Sequence, residues 1–513
     1  MKKMNLLAMS LVSAAALSFS SCSSNDDLGG GAGTQSQVKG FYMTLAVQTP
    51  TSNETRTSIE NPIPTEDATA EEAAVKNGTF YLVDEKGSVV FSKTLSNQDW
   101  TGAIKDQDGS KKDGKTTLQI QVENVAAGAT YKVYFKAGST AMDGVEEPVA
   151  AGTTGIFTAT GIEKTFSSTA AFAKPCDTDN NFSMFNQNDA TTNGNGYTVK
   201  FTDANKVETT PAKVMYNNAE SAIKIERVTA RVDVPTSKEN LLGEYPANAS
   251  QALKNAIDDA KEKVSKIELV RYALSNVTNK TYVMQNWNKA ESGWSLLIPD
   301  DATLSQTKDA FGEKYLFKDG GFKALTGATN DYIFENNKSD ATAMYFEYKV
   351  TLDANQFKNA TGELMPADFQ DGTFYRYNNV IYTSFDQIMK AYAEVAGLFK
   401  GQTADQLKTE LTEDKKEPTV ESVETKLAEF RAKYGIEVFN EGKTYYKQVI
   451  TDKQLGKDVI QRNTIYRLNV NKIFNVGAQV PNGEIDKNGL FYLDVTVTVN
   501  PWVLNTQDVE LGD

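Results

Sequence analysis

Few residues of this chain could do chemistry by their type and spacing. Gly109-Ser110-Lys111-Lys112-Asp113-Gly114-Lys115-Thr116 has the G-x-x-x-x-G-K-T spacing of a phosphate-binding loop. That chemistry needs a buried strand before the loop and a helix N-terminus after it, so that main-chain N–H groups surround the phosphates. Here residues 105–108 are polar and residues 117–125 alternate as a strand, so the segment reads as a solvated hairpin loop. Asp106-Gln107-Asp108 and Asp177-Thr178-Asp179 open like calcium loops. The pattern needs Gly at its sixth position and Glu at its twelfth. Those positions hold Lys111 and Thr117 in one loop, Phe182 and Asn188 in the other. The chain has no histidine, which excludes Ser-His-Asp and Cys-His triads and every His-containing zinc site. Cys176 therefore has no base to activate it and reads as a small buried or half-buried residue. No Asp/Glu pair stands out as a glycosidase pair. Trp100, Trp287, Trp294 and Trp502 form no sugar platform by sequence. The expectation is a protein without catalytic residues, metal or cofactor.

The elements that could position a site are more informative. With 40% hydrophobic residues the 513-residue chain has enough apolar material for globular cores. Its formal charge of −14 argues against nucleic-acid binding, which needs clustered Lys and Arg. The same charge opposes anionic lipid, so any membrane link should be a covalent anchor. The N-terminus has the form of that anchor. Met1-Lys2-Lys3 is a basic n-region, and residues 6–19 are apolar but shorter than the ~20 residues that span a bilayer. Phe19-Ser20-Ser21-Cys22 resembles a bacterial lipobox, which implies a signal peptide over residues 1–21 and an acylated (palmitate-type) Cys22. The acidic and glycine-rich stretch that follows reads as a flexible tether.

Period-two alternation dominates the rest. Residues 41–47 place Phe41, Met43, Leu45 and Val47 on one face of a strand. Residues 80–83 and 88–91 flank a turn and predict a hairpin. Further strands are expected at 118–122, 131–135, 197–201 and 213–216. A second block from residue 223 predicts strands at 223–234, 267–273, 281–284, 344–352, 443–449, 463–470 and 490–499, with helical insertions at 251–264, 385–398 and 423–434. Many short strands between Gly, Asn and Asp turns point to a mainly β fold of sandwich type. At the C-terminus Val495, Val497 and Val499 alternate with polar residues. Asn500-Pro501 should break that strand before Trp502, Leu504, Val509 and Leu511. A β-rich apolar end is an aggregation hazard unless another strand pairs with it. Between the two end strands, Arg56 stands alone in a polar loop and would be an accessible protease site.

Taken together these features resemble the Bacteroidales fimbrillins, the pilin subunits of type V pili, and most of all the stalk subunits of short (minor) fimbriae. The carriers are the lipobox at Cys22, the strand ahead of Arg56, Asn180-Asn181-Phe182-Ser183-Met184, Ile225-Glu226-Arg227-Val228-Thr229-Ala230-Arg231-Val232, Arg462-Asn463-Thr464-Ile465-Tyr466-Arg467-Leu468-Asn469-Val470, and the ending around Asn500-Pro501-Trp502. The resemblance implies two tandem transthyretin-like β-sandwich domains, the second with helical insertions. Residues 22–56 would be a lipidated propeptide with the first strand. Residues 57–222 would be the N-terminal domain, and 223–513 the C-terminal domain with a donor-strand tail.

The resemblance also implies a mechanism. The precursor crosses the outer membrane as a lipoprotein. An arginine-specific protease cuts between Arg56 and Thr57 and removes the strand bearing Phe41, Met43, Leu45 and Val47. A neighbouring copy then fills the slot with a tail drawn from Val495, Val497, Val499, Trp502, Leu504, Val509 and Leu511. The implied partners are further copies, accessory tip and anchor subunits, the protease, and host or bacterial surface receptors. The implied roles are adhesion, colonisation and biofilm formation. A tip or anchor subunit, or a monomeric glycan-binding surface lipoprotein, are the alternatives.

Overall fold

Alternation of branched and aromatic residues with polar ones makes the first strand what it is: Phe41, Met43 and Val47 are buried along Phe41–Gln48. The computed structural model of the chain describes residues 41–48, 66–68, 72, 75, 77–96, 99, 115–167, 182–188, 194–203, 223–238, 245–290, 293–304, 321–416, 420–452, 455–481 and 493–504. The described chain is mainly β.

One sheet runs in the order Val89–Leu95, Gly78–Val83, Thr130–Ala137, Met184–Asn186, Ile223–Arg227, Phe41–Gln48, Lys115–Val122, with Thr198–Lys200 also paired to Thr130–Ala137. Its central part is buried on both faces. Phe80, Leu82, Val133 and Phe135 enter the core that also holds the first strand. Tyr81, Val83 and Tyr134 point into a second core with Met142, Phe157 and Phe166. The hairpin between Gly78–Val83 and Val89–Leu95 is closed by Asp84, whose Oδ1 accepts from the N–H groups of Lys86 and Ser88.

A second sheet has the order Asp331–Ile333, Ala230–Val232, Thr464–Ile473, Leu493–Leu504, Glu66–Ala68. A third has the order Lys323–Ala324, Val264–Ser275, Ala343–Leu352, Lys443–Val449. The two share one core. Val232, Ile333, Tyr466 and Leu468 come from one sheet, and Ile267, Phe346, Tyr348 and Tyr446 from the other. Ala343–Leu352 and Lys443–Val449 are paired neighbours, and everything between them is an insertion. It holds a small sheet (Phe374–Tyr377, Val380–Tyr382, Glu437–Phe439) and three helices around Tyr375, Phe385, Leu407, Leu411 and Phe430.

Several expectations change here. The single strand expected at 223–234 is two strands, Ile223–Arg227 and Ala230–Val232, in different sheets. Val228 and Thr229 leave the ladder because their main-chain groups are taken elsewhere: Val228 N–H donates to Ser183 O, and Thr229 O accepts from Asn463 N. The helix expected at 385–398 ends at Ala391. Its apolar periodicity continues, but the chain leaves helical geometry at Tyr392 (φ −121°, ψ 30°), and Gly397, Phe399 and Lys400, with positive φ, turn it further on. A helix at Ala404–Asp414 was not expected, although Thr403 and Gln406 form a capping box ahead of it. The helices at Gln251–Lys263 and Val420–Tyr434 lie where the spacing puts them. The strand expected at 213–216 lies outside the described residues.

Candidate functional site: two strand positions and a buried polar seam

The first strand is interior to its sheet. Phe41 to Gln48 pair antiparallel with Val122 to Lys115, residue for residue. On the other side Val47 and Gln48 pair parallel with Ile223 and Lys224. Phe41 meets Phe201 edge-on at 5.5 Å between ring centroids. Met43 and Val47 are almost fully enclosed, in a core with Ile120, Met184, Ile223 and Ile225. Leu45 stands opposite Leu118, and its side chain lies outside the described residues. At ~1.5–3 kcal/mol for each buried side chain, Phe41, Met43 and Val47 hold this strand firmly.

The last strand, Leu493–Leu504, belongs to the second sheet. Val495, Val497 and Val499 stand opposite Val470, Leu468 and Tyr466. The break expected at Asn500-Pro501 does not occur, and the strand continues through Trp502 to Leu504. Pro501 is tolerated because it faces Thr464, the first residue of its partner, where the ladder ends anyway. Beyond it the pairing passes to a different neighbour: Trp502, Val503 and Leu504 run parallel with Glu66, Asp67 and Ala68. Cys22, Arg56, Thr57, Cys176, Val509 and Leu511 lie outside the described residues.

Where the first and second sheets meet, a seam of charged side chains is buried. Arg227 ends Ile223–Arg227 and Arg231 lies on Ala230–Val232, so one short stretch sends two guanidiniums inward. Arg227 donates from Nε to Glu72 O at 2.8 Å and from Nη1 to Asn463 Oδ1 at 3.0 Å. Arg231 pairs with Glu72 at 3.2 Å and with Asp233 at 2.7 Å. Asp233 also accepts from Arg467, and Tyr332 donates to Glu72 Oε1 at 2.7 Å. Burial lowers Arg227 below the ordinary arginine value, and Glu72 opposes that shift.

A second group surrounds Arg462. Its Nη2 donates to Glu335 Oε2 at 2.8 Å and to Thr281 Oγ1 at 3.0 Å, and its Nη1 is 3.8 Å from Glu226 Oε1. Burial raises the Glu226 carboxyl to about 8; Arg462 opposes the shift and Glu335 adds to it. Sequence reading picks out the stretches 225–232 and 462–470 but not these partnerships. The usable signal was charge at positions where a strand should be apolar: Glu226, Arg227 and Arg231 interrupt an otherwise hydrophobic run.

Among the described residues no group of His, Cys, Asp and Glu side chains could hold a metal ion. Lys115 and Thr116, the end of the phosphate-loop pattern, start a strand rather than a helix. Trp287 is 3% exposed and offers no sugar platform.

The geometry defines a β protein whose candidate site is main-chain pairing at its two end strands. Residues 437–508 match the family model described as "Major fimbrial subunit protein type IV, Fimbrillin, C-terminal", so this C-terminal region is similar to the fimbrillins. The match spans Glu437–Phe439, Lys443–Val449, Thr464–Ile473 and Leu493–Leu504. No curated protein matches the chain. A candidate cell adhesion protein of Parabacteroides distasonis is similar in structure at 13% identity and a TM-score of 0.43, over 92% of this chain and 99% of that one. A second from the same organism gives 12% and 0.40, over 90% and 100%. A fimbrial assembly protein of that organism gives 15% and 0.25, over 61% and 99%. At these scores the likeness is remote.

Proposed function

We propose that this chain is a structural fimbrial stalk subunit that polymerises by donor-strand exchange once a protease has cut after Arg56. The observation that supports it best is the position of Phe41–Gln48. The segment ahead of Arg56 contains an interior strand, flanked by Lys115–Val122 and Ile223–Arg227, with core side chains at Phe41, Met43 and Val47. Its loss uncovers both an apolar slot and unpaired main-chain groups, which a strand from another copy can satisfy together. Slot and tail lie on different parts of the subunit, so the contact is heterologous and propagates into a filament. In this reading Cys22 carries the export lipid and the precursor reaches the cell surface through the outer membrane. In this reading the two sandwiches are transthyretin-like, with Ile223–Arg227 in the first and Ala230–Val232 in the second. The filament joins accessory tip and anchor subunits and serves adhesion, colonisation and biofilm formation without catalysis.

Treating purified full-length protein with an arginine-specific protease tests this. Cleavage after Arg56 is expected to give heat-labile, detergent-resistant ladders on a gel. Deleting residues 500–513 should abolish them, and Arg56→Ala should block maturation. Trimmed, intact-tailed protein that stays monomeric at high concentration would overturn the proposal.

A further inference from the structure

The last strand has a second neighbour whose role the assembly reading does not use. Glu66–Ala68 pairs with Trp502–Leu504 at the edge of the second sheet. A three-residue pair is too short to persist alone. It is reinforced close by. Glu72, four residues after Ala68, is 3% exposed and is held by both halves of the seam. Its carbonyl takes Arg227 of the first sheet, and its carboxylate takes Arg231 and Tyr332 of the second. Four residues of extended chain span at most about 14 Å, so the Glu72 anchor keeps the Glu66–Ala68 pair at high local concentration. Val75 packs on the first-sheet core, and Asn77 O accepts from Gly138 N at 3.1 Å. Charge suits Glu72 to this place: its carboxylate faces Arg231, which together with Arg467 also bonds Asp233.

We propose that these points, from Glu66–Ala68 through Glu72 and Val75 to Asn77, form a permanent strap. It guards the edge of the last strand, and Glu72 is its positioning residue. An edge strand left open invites unwanted pairing, and the strap covers the end of Leu493–Leu504 that has run past its inner partner. The strap lies downstream of residue 56 and is anchored on its own C-terminal side, so it stays in place when the first strand leaves, and the donor segment of the proposed assembly is then drawn from beyond Leu504. Its survival of the cut rests on the proposed processing site; the strap itself does not.

Hydrogen exchange read by mass spectrometry tests both parts, using full-length and trimmed protein of the wild type, Glu72→Gln and Glu72→Ala. Wild-type amides in 66–68 and 502–504 should be equally protected before and after trimming. In Glu72→Ala they should exchange at least about ten-fold faster in both forms, with Glu72→Gln between and Ala343–Leu352 unchanged. Should Glu72→Ala not fold, Glu72→Gln supports the same comparison. Unchanged exchange at 66–68 and 502–504 in the full-length variants overturns the strap. Lost protection in wild type on trimming overturns its permanence. A trimmed mass showing no cut after Arg56 counts against the processing site and leaves the full-length comparison standing.

Discussion

Glu226 shows how a single side chain can set a property of the whole fold. It is fully enclosed, lies 3.8 Å from Arg462, and shares that guanidinium with Glu335. One cation between two buried carboxylates leaves one of them better off protonated. The folded value, about 8, lies above the ordinary 4.5. The folded state therefore holds a proton that the unfolded chain releases. The resulting stability is complete below about pH 4.5 and is lost as pH rises to about 8. Glu226→Gln removes this titration while keeping size and polarity. Unfolding free energies between pH 5 and pH 8 (about the window above) should fall less steeply in the variant, the slopes differing by up to about 1.4 kcal/mol per pH unit. Equal slopes would place the proton elsewhere.

At the scale of elements, the first strand carries the clearest prediction. Phe41→Ala should destabilise the full-length protein by roughly 3 kcal/mol, because the Phe201 pocket empties. The substitution should have no effect on protein trimmed after Arg56, and chemical denaturation of the two forms checks it. A loss of stability in both would mean that the strand stays bound after cutting. Much of the strand pattern was legible in the sequence because burial on one face writes a period of two, as at Phe41, Met43 and Val47. The Gly78–Val83 hairpin was legible through its turn residues. What escaped was set by partners distant in sequence. The division at Val228-Thr229 depends on Ser183 and Asn463. The passage of the last strand through Pro501 depends on where Thr464 lies. The seam joins Glu72, Arg231, Tyr332 and Arg467, and no local window contains them all. The helix at Ala404–Asp414 was readable from Thr403 and Gln406, and its weak apolar face hid it.

For the whole molecule the acidic balance becomes an assembly variable. Residues 1–56 contain four basic and three acidic side chains, so the trimmed chain is one unit more negative than the −14 of the full sequence. In the proposed assembly, copies meeting slot to tail repel one another over a distance set by salt, about 30 Å at 0.01 M and about 8 Å at 0.15 M. Light scattering of trimmed protein should show polymer growing faster as salt rises through this range. Growth that slows with salt would indicate that local charge complementarity outweighs the net repulsion.

The unequal flanks of the first strand have a kinetic consequence. Lys115–Val122 borders it along its full length, whereas Ile223 and Lys224 border only the end at Val47 and Gln48. In the proposed exchange, a segment arriving in the emptied position would find, among the described residues, two walls at that end and one wall elsewhere. Its costly initial contact forms most readily where bonds on both sides form together. Insertion then zips from the Ile223 end towards Phe201, which closes last. Changes near Ile223 would thus govern how fast a subunit is captured, and changes near Phe201 how long it is kept.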